Sequence, residues 1–252
     1  MGHHRAGPAA AGQPDGARTA GGARPTADPG RGVLPGRRGV RWRAPPKDFP
    51  PWQTVYGFFT RWRDDGTWQR VPDTPRDQVR LLEGGNPLPT AAVIDSQSVK
   101  DAETVGAARR GFDGGKKFNG VKRHVAVDTL GLLLVVMVTA ASVQDRDGAC
   151  GLLSVLQERF STIRMVWADG GYGGRLVVGA AKVIRLTVTI VKRTDDMKGF
   201  VVLPRRWVVE RTFSWFGRNR RLAKDYETLA DTLAAFVTLA AIQFGLRRLA
   251  RA

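Results

Sequence analysis

Three carboxylates, Asp95, Asp169 and Glu210, stand where they could do chemistry together. Asp95 follows the short apolar run AAVI, and Asp169 closes IRMVWAD. Glu210 lies in VVLPRRWVVERTFSWFGRNRR, among Arg205, Arg206, Arg211, Arg218, Arg220 and Arg221. Acids ending adjacent parallel strands share one rim, and ligands of open α/β sheets bind beyond the carboxyl ends of strands. A glutamate on the next helix completes a trio. Three hard oxygen donors suit Mg²⁺ or Mn²⁺, which keep several waters and take phosphate oxygens as further ligands. Two such ions can stabilise the attacking and the leaving oxygen of an in-line phosphoryl displacement. Each acid also has a plainer role open to it. Aspartates after strands commonly bond turn amides, and Glu210 is spaced to pair with Arg206 at i−4.

The surrounding pattern provides elements to position them. Residues 91–95, 121–129, 132–140, 163–169 and 186–193 are apolar or alternating runs that read as strands, with a tight turn at Leu130-Gly131. Helices are expected over about 147–160, after GGYGG, and around Glu210, while the polar, glycine-rich residues 96–120 read as a long loop. The order β, β-hairpin, α, β, α, β, α predicts an α/β fold, a mixed sheet flanked by helices. Upstream, a helix from Pro51 should stop at DDG (64–66), a short one should run from Thr74 to Leu82, and GGNPLPT (84–90) should link them to the sheet. Residues 45–85 thus read as a short helical remnant and 86–252 as the sheet domain that carries the three acids.

Residues 1–44 are dominated by Gly, Ala, Pro and Arg, with no helical or strand period, and disorder is expected. They resemble GC-rich text read out of frame, so a frameshifted or mis-started copy is the expectation. The apolar runs 130–141 and 232–246 fall short of the ~20 residues of a spanning helix, and no secretory h-region is visible. No membrane span is therefore expected. The single cysteine, Cys150, excludes an intrachain disulfide and a cysteine-based zinc site.

The chain of 252 residues carries a formal net charge of +17, which points to nucleic acid as a partner. Lys100, Lys116, Lys117, Lys122 and Arg123 form one basic cluster; Arg206, Arg218, Arg220 and Arg221 form another. Both are candidate DNA contacts, since arginine suits bidentate phosphate binding, although a solvated basic face would read the same way. Ser96, Ser98 and His124 could suggest a hydrolase, but no nucleophile elbow accompanies them. ADGGYGG lacks the lysine of an ATP-binding loop.

The words IDSQSVK, GKKFNGVKRHVAVDTLG, VQDRDGA, WADGGYGG, IVKRTDD and GFVVLPRRWVVERTFSWFGRNRRLAKDYE resemble DDE transposases of bacterial insertion sequences, in the group of insertion sequences four and five. The resemblance covers about residues 46–230 in family order. It implies a ribonuclease-H-like core, with Asp95, Asp169 and Glu210 as a catalytic, metal-binding trio holding Mg²⁺ or Mn²⁺. It implies cleavage and transfer of DNA strands, with terminal inverted repeats and target DNA as partners. It also implies a homodimer on paired ends, and a bacterial cytoplasmic, nucleoid-associated setting. Arg206 stands four residues before Glu210, as in the family's signature, where it would orient Glu210 or touch the scissile phosphate. Leu203 replaces the signature's tyrosine, and Gly217 its downstream basic residue. The alternative is an inactive truncated copy that only binds DNA; a cellular nuclease of the same fold is the third reading.

Overall fold

The computed structural model describes residues 41–191 and 206–252, with Met1 and Gly39. Most of the segment expected to be disordered lies outside the described residues, as do Leu203 and Arg205.

Six strands form one mixed sheet: β1 (Ala91–Lys100), β2 (Gly111–Asp113), β3 (Phe118–Asp128), β4 (Leu133–Ala140), β5 (Met165–Ala168) and β6 (Thr187–Ile190). Their order is β2-β3-β1-β5-β6, with β4 also paired to β3. β1 runs antiparallel to β3 and parallel to β5, and β5 runs parallel to β6. This is a ribonuclease-H-like arrangement: an antiparallel meander on one side of β1, and parallel strands with helical crossovers on the other.

Both faces are covered, as strands with near-continuous apolar runs require. On one face lie α4 (Asp145–Arg159) and α5 (Arg175–Ile184), whose Leu152, Leu153, Leu156 and Leu176 pack with Ala92, Ile94, Val166 and Ala168. The other face is covered by α6 (Trp207–Gly217) and α7 (Ala230–Leu249), with Val209, Phe213, Phe236 and Val237 against Val93, Val125 and Trp167. Neighbouring residues of β1 and β5 thus go to opposite cores, as the two-residue strand period demands. α7 is long and apolar enough to cross a membrane, but half of its apolar window is buried within the fold.

Three helices precede the sheet: α1 (Trp52–Asp64), α2 (Thr67–Arg70) and α3 (Asp73–Leu82). α1 ends at the expected place. α2 was not foreseen, and α3 starts at Asp73, after Pro72, rather than being capped by Thr74. Phe59 and Trp68 belong to the same core as α6 and α7, so this helical segment is cemented to the sheet domain. Trp42 joins them, with its ring 5.1 Å from Phe59, 5.2 Å from Tyr56 and 6.1 Å from Phe236. Placing Trp42 in a disordered segment is therefore corrected: an isolated indole in polar text shows no period, yet finds an aromatic pocket.

Gly148 lets α4 approach the sheet. A Cβ there would meet the His124 ring at 2.2 Å, which accounts for the glycine of VQDRDGA.

Candidate active site

The site is built where β1 loses its parallel neighbour. Pairing of β1 with β5 is recorded from Ala91↔Met165 to Val93↔Trp167, whereas its antiparallel pairing with β3 continues to Lys100↔Gly120. The expectation that Asp95 ends its strand is therefore corrected. Asp95 sits mid-strand opposite Val125, because β3 goes on supplying backbone partners to residues that read as loop from their polarity. β5 ends at Ala168, so Asp169 follows the strand directly instead of closing it. Extending the parallel register by two residues sets Asp95 level with Asp169.

Strand period then gives direction. Asp95 has the parity of Val93, and Asp169 that of Trp167, both of which belong to the core beneath α6. Glu210 lies in the first turn of α6, on its exposed side, while Val208, Val209, Thr212 and Phe213 anchor the helix. α6 is pinned further by Thr212, whose hydroxyl donates to Gly131 O at 2.9 Å. Gly131 takes φ +82° in the β3–β4 turn, a conformation that favours glycine.

Arg206 lies between two of the acids. One guanidinium nitrogen is 3.4 Å from Asp169 Oδ2, and its Nε is 3.6 Å from Glu210 Oε1. The other Asp169 oxygen, Oδ1, accepts from Gly171 N at 2.8 Å. The turn-capping role of Asp169 and its site role thus use different oxygens. Asp95 Oδ1 accepts from Ser96 N at 2.8 Å. Burial pushes the Asp95 carboxyl up to about 6; Asp169 and Glu210 add to the rise, while the Ser96 amide and Arg206 oppose it. The three acids therefore feel one another. Among the described residues, Arg206 is the cation that opposes them.

The donors are all carboxylate oxygens, a set that fits a hard divalent cation. Among the described residues, however, no three His, Cys, Asp or Glu side chains stand close enough together to hold a metal ion as they are. The donor chemistry fits such an ion, and Arg206 occupies the space between Asp169 and Glu210.

The candidate DNA contacts divide sharply. Lys100, Lys116, Lys117, Arg218 and Arg220 are exposed. Lys100 stands five residues beyond Asp95 on β1, and Lys116 and Lys117 lie in the adjacent β2–β3 turn. Lys122 and Arg123 are buried, so placing them on a DNA-facing surface is corrected. Lys122 Nζ donates to Val143 O at 2.6 Å and pairs with Asp145 at 2.8 Å. Arg123 donates to Leu222 O at 3.0 Å and to the Gln97 side chain. The reason is position: β3 is flanked by β1 and β4 and covered on both faces. Arg221 is half-buried, bonded to Glu227 at 2.7 Å and lying over the Phe236 ring.

Ser96, Ser98 and His124 form no hydrolase arrangement with one another. Ser96 Oγ donates to Asp145 at 2.7 Å, Ser98 donates to Asp113, and buried His124 meets Thr139 at 2.9 Å. Burial lowers the His124 pKa to about 4, so this imidazole is neutral at physiological pH. Two residues without an assigned role in the sequence adjoin the site. Asp145 ties Ser96 to Lys122, and Tyr172 is buried where its phenol feels Asp95, Asp145 and Asp169, raising its pKa. Both belong to quoted words, VQDRDGA and ADGGYGG, but nothing in their spacing marks them.

Comparison with known families now becomes informative. Residues 86–244 match the family model described as "Transposase DDE domain". The chain belongs to this DDE transposase family. Residues 33–72 match a second model, "Putative transposase of IS4/5 family". That match begins inside the segment read as unlike the family, and together with Trp42 it moves the recognisable region upstream of residue 45. A relative in Burkholderia cepacia, "Putative transposase for insertion sequence element IS402", is 31% identical over 127 residues, which is 48% of this chain and 60% of the relative. A DDE domain implies a divalent metal cofactor and DNA as a partner.

Proposed function

We propose that this DDE transposase uses Asp95, Asp169 and Glu210 to hold Mg²⁺ or Mn²⁺, and that it cleaves and transfers DNA strands at the ends of an insertion sequence. The observation that carries this reading is the electrostatic convergence of the three acids: both Asp169 and Glu210 raise the Asp95 pKa, and Arg206 bridges the other two.

Divalent cations, when bound, would activate the attacking oxygen and stabilise the leaving one. The chain does the positioning. The Ser96 amide fixes Asp95, the Gly171 amide fixes Asp169, and the buried face of α6 fixes Glu210. Asp95 must lose its proton to act as a ligand, which its environment delays to about pH 6. Arg206, released from the acids, can reach a non-bridging phosphate oxygen, a role for which the guanidinium fork is suited. In the first step the oxygen of water bonds to phosphorus and the P–O3′ bond breaks, leaving a 3′-hydroxyl and a 5′-phosphate. In the second, that 3′-oxygen bonds to a target phosphorus and displaces the target's own 3′-oxygen, which leaves as a hydroxyl. Positioning and charge stabilisation supply most of the catalysis.

The test is nicking of a supercoiled plasmid carrying the flanking repeats by the full chain, with Mg²⁺ or Mn²⁺, alongside Mn²⁺-dependent thermal stabilisation. Wild type should nick and be stabilised, and Glu210→Gln should do neither while still binding DNA. Unchanged nicking by the variant would remove Glu210 from the site. A wild-type chain that binds DNA without nicking or metal stabilisation would favour the binding-only reading.

A further inference from the structure

Away from the acids, the C-terminal ends of α6 and α7 meet in a groove of about 320 Å³ whose lining includes Arg218, Arg247, Arg248 and Arg251. Its aromatic floor is Trp215 stacked on Phe244, with ring centroids 3.8 Å apart. Among the described residues, the lining holds no acid.

Arginines at helix C-termini have an ordinary explanation, because each helix end carries about half a negative charge. That accounts for only part of the charge here. Two helix ends amount to about one negative charge. Glu83, from α3, pairs with Arg248, whose other nitrogen donates to Leu130 O. Even with Arg247 left out of the balance, Arg218, Arg248 and Arg251 exceed these negative charges among the described residues, and Arg218 and Arg251 are exposed.

The groove is also joined to the acid site by a continuous surface. Trp207, Glu210, Ser214, Gly217 and Arg218 are all exposed and recur on one side of α6. Arg218 is eight residues from Glu210, or about 12 Å along the helix axis. That equals roughly three nucleotides of duplex, at about 3.4 Å of DNA axis each.

We propose that this groove binds the phosphate backbone of the DNA whose reacting phosphate lies at Asp95, Asp169 and Glu210, about three nucleotides away along the strand. The assignment rests on the transposase reading above and adds the direction of the DNA: along the exposed side of α6, from the acids to the end of α7. The contacts are to phosphate, so they position the DNA without reading its sequence.

The experiment measures the affinity of the full chain for a random-sequence duplex as a function of salt. The variant Arg218→Gln/Arg247→Gln/Arg251→Gln is compared with Arg175→Gln/Lys182→Gln/Arg185→Gln, which removes three basic residues from α5 and its C-terminus on the opposite face. Each lost phosphate contact lowers the slope of log affinity against log salt by about 1. The groove variant should therefore lose about 2 to 3 from the slope while the α5 variant keeps the wild-type slope. Equal slopes in the groove variant and wild type, or equal losses in both variants, overturn the groove while leaving DNA binding intact. A wild-type chain with no salt-dependent DNA binding overturns the transposase reading and the groove together.

A second measurement avoids any folding defect in the triple variant. Gln243→Cys on a Cys150→Ser background, carrying a tethered hydroxyl-radical source, should cut the DNA backbone about three nucleotides from the nicking position. Cuts scattered evenly along the duplex would refute the placement.

Discussion

Two aspartates set into the paired strands β1 and β3 make opposite uses of burial. Asp128, opposite Ala92, is fully buried and has its charge answered: Arg80 pairs with it at 2.6 Å, and the amides of Leu130 and Leu132 each donate to it at 2.9 Å. Asp95, opposite Val125, accepts from one amide and faces two further acids, with Arg206 as the cation that opposes them. The first arrangement closes the base of the sheet and ties α3 to it. The second gathers three acids around one arginine among the described residues. Carboxylates with complete partners report architecture. Carboxylates crowded beyond their local cations report a site waiting for positive charge from outside.

That contrast can be broken most forcefully at the rim. Asp95→Asn, Asp169→Asn and Glu210→Gln should each lower strand cleavage by about 10³-fold or more, as loss of charge stabilisation at a reacting centre does, with DNA binding retained. Cleavage rates on plasmid substrate check this, and a variant that keeps wild-type rates removes its residue from the trio.

The partner experiment is at the base. Asp128→Ala strands the buried Arg80 charge and should cost about 3–5 kcal/mol of stability, read by urea denaturation. A loss below about 1 kcal/mol, the range of an exposed pair, would place the two aspartates in the same class.

Stability should move the other way at Asp95. Its carboxyl is raised to about 6, above its ordinary 3.8, so the folded protein bears a penalty for the ionised form above pH 6. That penalty fades as pH falls through 6 and is gone below the unfolded value. Asp95→Asn should therefore stabilise the metal-free protein by about 1–3 kcal/mol at neutral pH, with the gain vanishing near pH 4. His124 works in the opposite sense over the same window. Its pKa is lowered to about 4, so the unfolded chain takes up a proton as pH falls below about 6.5 and the folded one resists. Removing the Asp95 contribution should leave the variant more acid-sensitive than wild type. Parallel pH profiles for the two proteins would contradict this assignment.

The smallest effect concerns Arg206, which lowers the Asp95 pKa. Arg206→Gln should move the Asp95 midpoint up by about one unit, followed by carboxyl NMR in the presence of a chelator. An unmoved midpoint would separate Arg206 from the acid site.

Much of the site was legible in sequence, and the failures share one cause. Asp169 and Glu210 stood where strand and helix patterns put them. Asp95 was singled out as a candidate but not placed mid-strand, because SQSVK after it is polar, and polarity alone cannot reveal that β3 continues to pair with it. Lys122 and Arg123 were read as surface charge although they sit between valines in VKRHVAVD. Their burial depends on Asp145, Val143, Gln97 and Leu222, partners that no local pattern identifies. Trp42 was lost for the same reason, since its pocket is made by α1 and α7.

By itself, the sequence determined the alternation of strands and helices, the excess of basic charge and the family, because period, composition and motif order are properties of the chain read along its length. Only the tertiary structure decided which charges meet. It set Asp95 within the electrostatic reach of Asp169 and Glu210, put Arg206, at the N-terminus of α6, between the latter two, and removed Lys122 and Arg123 from the surface. Electrostatic energy depends on distance through space and on burial, and neither is a function of position along the chain.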